Sequence, residues 1–143
     1  MGSIQSGFAI ANPSPAAVQV SLELSNLDGS FAGVLPASIN VPAGGQIAKF
    51  TNELFPGIPA TFQGIAKITA ASPIAVTGLR GRYNERGDFL ITTTPPMNEA
   101  TAAAGDLLFP HIVAGSGYNT QIIIYGQPGS GGLYLVGQDG ASK

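Results

Sequence analysis

Val18, Val20, Leu22 and Leu24 alternate with Gln19, Ser21, Glu23 and Ser25. A period of two puts the apolar side chains on one face of a strand and the polar ones on the other. This is the cleanest half-buried strand in the chain. A shorter alternation, with Phe8 and Ile10 on one face, marks residues 4–11. Asn12-Pro13-Ser14-Pro15 separates the two as a turn cluster. Asn26-Leu27-Asp28-Gly29 reads as a tight reversal, since glycine tolerates positive φ there. Residues 31–35 and 38–41 read as short strands split by Pro36, which suits a sheet edge. Pro42-Ala43-Gly44-Gly45 then turns the chain, and residues 46–50 return.

Residues 62–93 organise the next part as three consecutive strands, 62–70, 74–84 and 88–93. Ala71-Ser72-Pro73 breaks the first pair, and Glu85-Arg86-Gly87 turns the second. Phe62, Gly64, Ala66 and Ile68 share one face, as do Ile74, Val76 and Gly78, and again Phe89 and Ile91. One helical turn is expected at residues 51–55. Its hydroxyl makes Thr51 a candidate cap for an orphan amide of the first turn. Leu54 and Phe55 are placed to plug an open end of a sandwich, and Pro56-Gly57 stops the turn.

Pro95-Pro96 ends the regular part. The expected organisation is a β-sandwich body over 1–96, a linker over 97–106 and a partial second repeat over 107–143. Strands are expected there at 107–113, interrupted by Pro110, at 118–125 and at 133–136. The repeat is read at pattern level. Residues 4–10 match 118–124, and Asp28-Gly29-Ser30 matches Asp139-Gly140-Ala141. A unit begun and not completed leaves strand edges to be covered by its own body, by a neighbouring copy or by a tandem neighbour.

Composition adds a second feature. Asp, Glu, Lys and Arg make up 10% of the 143 residues, against roughly 25% in ordinary soluble domains. The surface is therefore amide- and hydroxyl-rich with little charge repulsion, which makes association easy. A net charge of −2 argues against a nucleic-acid partner, which needs a basic face. No run of 18 apolar residues is present, so no membrane-spanning helix is expected. With no Cys, disulfides and thiolate metal sites are excluded.

Several elements together resemble a known group. Asn12-Pro13, Phe55-Pro56, Asn84-Glu85-Arg86-Gly87-Asp88-Phe89-Leu90, Leu108-Phe109-Pro110 and Gly115-Ser116-Gly117-Tyr118-Asn119-Thr120 look like the Ig-like β-sandwich repeats of large secreted bacterial proteins. The resemblance implies an all-β, Ig-like or fibronectin-like sandwich. It also implies an extracellular or cell-surface location and a scaffold, adhesive or assembly role, and it brings no catalytic residues with it. Gly126-Gln127-Pro128 departs from the group, standing where an Asn-Pro turn would recur.

Candidate chemistry is sparse. The single His111 sits beside Pro110, and neither Ser116 nor Ser130 lies in a Gly-x-Ser-x-Gly elbow. Gly129-Ser130-Gly131-Gly132 lacks the Lys and helix of a phosphate loop. The eight acidic residues have no metal-ligand spacing. The expectation is thus no enzyme, no cofactor and no metal. Arg80, Arg82, Glu85, Arg86 and Asp88 form the one charge cluster, at a hairpin where Arg82 and Asp88 can face each other. Arg86-Gly87-Asp88 is also the tripeptide that integrins read, although a turn alone explains it. Tyr118, Ile122, Ile124 and Tyr134 are the candidate contact residues of the tail. The function expected is a structural subunit that associates with copies of itself or with tandem neighbours in a surface structure or filament. The alternative is an adhesion module that binds a glycan or a protein.

Overall fold

A computed structural model of the chain describes residues 4–101, 105–124, 130–137 and 139–141. The chain divides into two compact units, Met1–Met97 and Asn98–Lys143. Among the described residues, the first is all-β apart from one helical turn. Its strands are β1 (Gln5–Ala11), β2 (Val18–Asn26), β3 (Ala37–Val41), β4 (Gln46–Phe50), β5 (Gly64–Ala70), β6 (Ala75–Tyr83) and β7 (Phe89–Thr94). They form a four-stranded sheet, β4-β1-β6-β7, and a three-stranded sheet, β3-β2-β5. Every pairing is antiparallel.

The core is built on β2. Val18, Val20, Leu22 and Leu24 are buried, as the alternation requires, with Ile10 of β1, Val41 of β3 and Phe55. Burying one such side chain is worth about 1.5–3 kcal/mol relative to leaving it exposed. Phe55 follows α1 (Thr51–Leu54) and is 2% exposed, so it serves as the apolar plug. The cap of α1 is not Thr51. Phe50 stands at the N-cap, and its amide donates to Glu53 Oε2 at 2.7 Å. Thr51 Oγ1 instead donates to the Ser6 carbonyl at 2.8 Å, tying α1 to β1.

Two expected connections and one expected strand differ. Ala71-Ser72-Pro73 is not a hairpin turn: β5 pairs with β2, whereas β6 pairs with β1 in the other sheet. Likewise β4 does not return along β3 but crosses to β1, with Ala9 opposite Ala48. Residues 31–35 are not a strand. Phe31 makes one bridge to Ser25, Gly33 takes a φ of 80°, and Leu35 is exposed. The first two have one cause: a short turn in the sequence cannot say whether the next strand stays in the sheet or crosses the core.

The two-sheet sandwich is therefore present with an order of its own. In chain numbering, an Ig constant-type sandwich runs 1-2-5-4 and 3-6-7. Here the 2-5 and 6-7 pairs are kept, while β1 takes the place beside β6 and β3 the place beside β2.

The second unit is described by turns. Ser116 and Gly117 both have positive φ, 51° and 83°, in a two-residue loop closed by reciprocal Gly115–Tyr118 backbone hydrogen bonds of 2.9 Å. That is the primed turn that suits a tight hairpin. Thr120 Oγ1 accepts from the Val113 amide at 2.9 Å and donates to its carbonyl at 3.1 Å. Among the described residues of this unit there is no strand, so the strands expected at 107–113, 118–125 and 133–136 are not formed there. Tyr125 of the second segment and Gly126-Gln127-Pro128 lie outside the described residues. One matched element does recur in three dimensions. In both Asn26–Ser30 and Gly137–Ala141 the first amide donates to the last carbonyl, at 2.8 Å, and Asp28 or Asp139 Oδ1 accepts from the amide two residues on. Asn84–Asp88 closes the same backbone ring, at 3.0 Å. The shape is thus a general solution to a glycine turn and does not mark a repeat.

Candidate functional site: the β6–β7 hairpin

The hairpin turns on Asn84. Its Oδ1 accepts from the amides of Arg86 and Asp88, at 3.0 and 2.8 Å, and Gly87 takes the φ of 82° that an L side chain resists. Arg86 Nε lies 3.3 Å from Asp88 Oδ2 on an exposed tip. Such a pair contributes about 0–1 kcal/mol. Asp88 thus answers Arg86, not Arg82. The register sets Arg82 opposite Leu90 and Arg80 opposite Thr92.

Strand alternation then decides which face each residue takes. Ile10 is buried and pairs with Val76, and Phe8 pairs with Gly78, so Val76 and Gly78 face the core. Arg80 and Arg82 continue that same face, so the inward side of β6 changes from apolar to cationic toward the turn. There an open groove of about 290 Å³ is lined by Ile4, Arg80, Arg82, Leu90 and Thr92. All six residues of β7 are exposed, including Leu90, Thr92 and Thr94 on the inward side. Among the described residues, neither Arg80 nor Arg82 has a hydrogen bond or an ion pair.

The outward face carries a feature that sequence reading passed over. Phe89 packs against Tyr83 at 5.1 Å between ring centroids, with the rings tilted by 52°, and meets Phe50 edge-on at 6.4 Å. Gly81 makes this possible. A Cβ there would stand 2.5 Å from Cζ of Phe89, so only glycine lets the ring lie over the strand. The available signal was the symmetric placing of Tyr83 and Phe89 about the turn. Tyr83 remains 55% exposed and Ile91 56%, leaving an apolar patch on the outside of the sheet.

The tail candidates belong to the second unit. Tyr118, Ile124 and Tyr134 are exposed, and Ile122 is half-buried. Leu108 is 90% exposed. His111 is also exposed. Among the described residues no three His, Cys, Asp or Glu side chains could hold a metal ion, and no helix is long and apolar enough to cross a membrane. Comparison with protein-family models, curated proteins and solved structures finds no match.

Proposed function

We propose that this chain is a structural subunit of an extracellular bacterial surface assembly, joined through its second unit to copies of itself or to tandem neighbours. One observation carries the reading: among the described residues of the second unit, the strand-type segments present large apolar side chains to solvent and form no strand. Leu108, Tyr118, Ile124, Leu133 and Tyr134 are each at least 70% exposed. Unpaired, uncharged β-prone segments gain most from strand pairing with another chain. The low charge of the chain removes the usual repulsion between copies. The extracellular setting is supported by the resemblance to secreted Ig-like repeats.

Sedimentation of the full chain over a wide concentration range tests this. Association should rise with concentration and weaken in a Tyr118→Lys/Ile124→Lys variant, whose replaced side chains are already solvent-exposed. A chain that stays monomeric throughout ends the assembly reading.

A second reading, adhesion to a glycan or protein, is favoured by the exposed Tyr83–Phe89 ring pair, since aromatic faces supply rigid contact area. In that case Tyr83→Ala would abolish binding to a surface ligand and leave self-association unchanged.

A further inference from the structure

We infer that the groove beneath β7 is the acceptor site of the assembly, and that its occupant is the segment 106–109 of a second copy of this chain. The inference rests on the self-assembly reading and adds where the contact is made. The groove exists because the sheets differ in width. Four strands face three, and β7, all six of whose side chains are exposed, is the strand left without a counterpart. Its inward face offers Leu90 and Thr92 beside Ile4, flanked by two guanidinium groups that have no partner among the described residues. Two unpaired cations on an apolar shelf fit an extended segment that carries a carboxylate followed by apolar side chains.

The chain contains such a segment. Asp106 has no hydrogen bond or ion pair among the described residues, and Leu107, Leu108 and Phe109 follow it. All four are exposed. In an extended conformation Asp106 and Leu108 share a face about 7 Å apart, the spacing that also separates Arg80 from Arg82. Asp106 then meets the guanidinium groups while Leu108 covers Leu90. Pro110 supplies no amide and ends the segment. The contact is heterologous, groove to tail, so each copy offers one of each and the assembly grows head to tail.

A charge exchange tests the site. Arg80→Glu/Arg82→Glu and Asp106→Lys are made separately in the full chain. All three side chains are exposed, and circular dichroism and thermal melts check that each variant is folded. Each variant alone should associate about tenfold more weakly than the parent chain at low salt. An equimolar mixture should recover parent-like association, because each groove then meets a tail of opposite charge. Raised salt should shrink both effects. Variants that associate as the parent does, or a mixture that does not recover, overturn the groove assignment and leave self-assembly standing. A monomeric parent chain overturns both.

Discussion

Replacing Asn12 should destabilise the sandwich more than any surface change. Asn12 is 1% exposed and is the one buried polar side chain among the described residues. Its Nδ2 donates to the carbonyls of Ala16, Val41 and Pro42 at 2.8, 3.1 and 3.0 Å. Its Oδ1 accepts from the Ser14 amide at 3.0 Å and from the Ser14 hydroxyl. Its own amide donates to Gly45 at 2.9 Å, and Gly44 donates to Ser14 at 3.1 Å. One side chain thus joins the β1–β2 turn to the β3–β4 turn, and both cross between the sheets. Asn12→Leu keeps the volume and removes the Asn12 donor from the buried Val41 carbonyl, which costs about 1–3 kcal/mol. The part-buried bonds to Ala16, Pro42 and Ser14 add about 0.5–1 kcal/mol each where water can replace them only in part. A total of about 2.5–6 kcal/mol follows. Urea unfolding followed by far-UV circular dichroism measures it as a lower midpoint with an unchanged slope. Asn12→Asp sharpens the test. A carboxylate facing three carbonyls in a buried site has its folded pKa raised, so that variant is most stable below the unfolded aspartate value and loses stability as pH rises. A loss under about 1 kcal/mol for Asn12→Leu, or an Asn12→Asp deficit independent of pH, refutes the network argument.

Glu53 should titrate below the ordinary glutamate range, because the Phe50 amide and then Lys49 hold its ionised form. The stability it contributes is present above the ordinary glutamate pKa and is lost as pH falls through the lowered folded value. Carboxyl NMR titration checks this, Glu53→Gln should flatten that acid limb, and titration at or above the ordinary value would contradict the cap. Gly81→Val should push Phe89 off the strand, break its edge contact with Phe50 and cost about 1–3 kcal/mol by thermal unfolding. Unchanged stability would show that the ring has another place to lie.

The parts of this fold that depend on a residue's immediate neighbours were legible. Period-two alternation placed β2 and its buried face, and the glycine turn at Asn84–Asp88 placed the β6–β7 hairpin. Wiring was not legible, because Ala71-Ser72-Pro73 and Pro42-Ala43-Gly44-Gly45 look like hairpin turns yet carry the chain across the core. Asn12-Pro13 was visible as a turn, but the role of Asn12 rests on carbonyls 29 and 30 residues away. The same limit applies to the groove. Alternation sets Arg80 and Arg82 on one face, but their exposure follows from a count of strands in two facing sheets.

The tail makes the complementary point. Residues 118–124 are as β-prone as β1, whose pattern they echo, yet only β1 is a strand. The difference lies in the partners, not in the side chains. β1 lies between β4 and β6 and has ladder hydrogen bonds on both edges. Residues 119–124 have no ladder partner among the described residues. β-propensity measures how well side chains fit a pleated surface that already exists, so it cannot create that surface. Extended sequence therefore becomes a strand only where an edge is offered. Here the edges of the first unit differ in how they are guarded. Pro36 and Pro42 flank β3, while β4 carries Lys49 and β5 carries Lys67. β7 is Phe-Leu-Ile-Thr-Thr-Thr, without a charged side chain of its own, and Asp88 and Pro95 flank it. Natural sheets defend exposed edges with such residues because an undefended edge recruits other chains. Within β7 no charged side chain guards the edge, and that edge lies beside an open groove, so an incoming strand would meet less charge there than at β4 or β5.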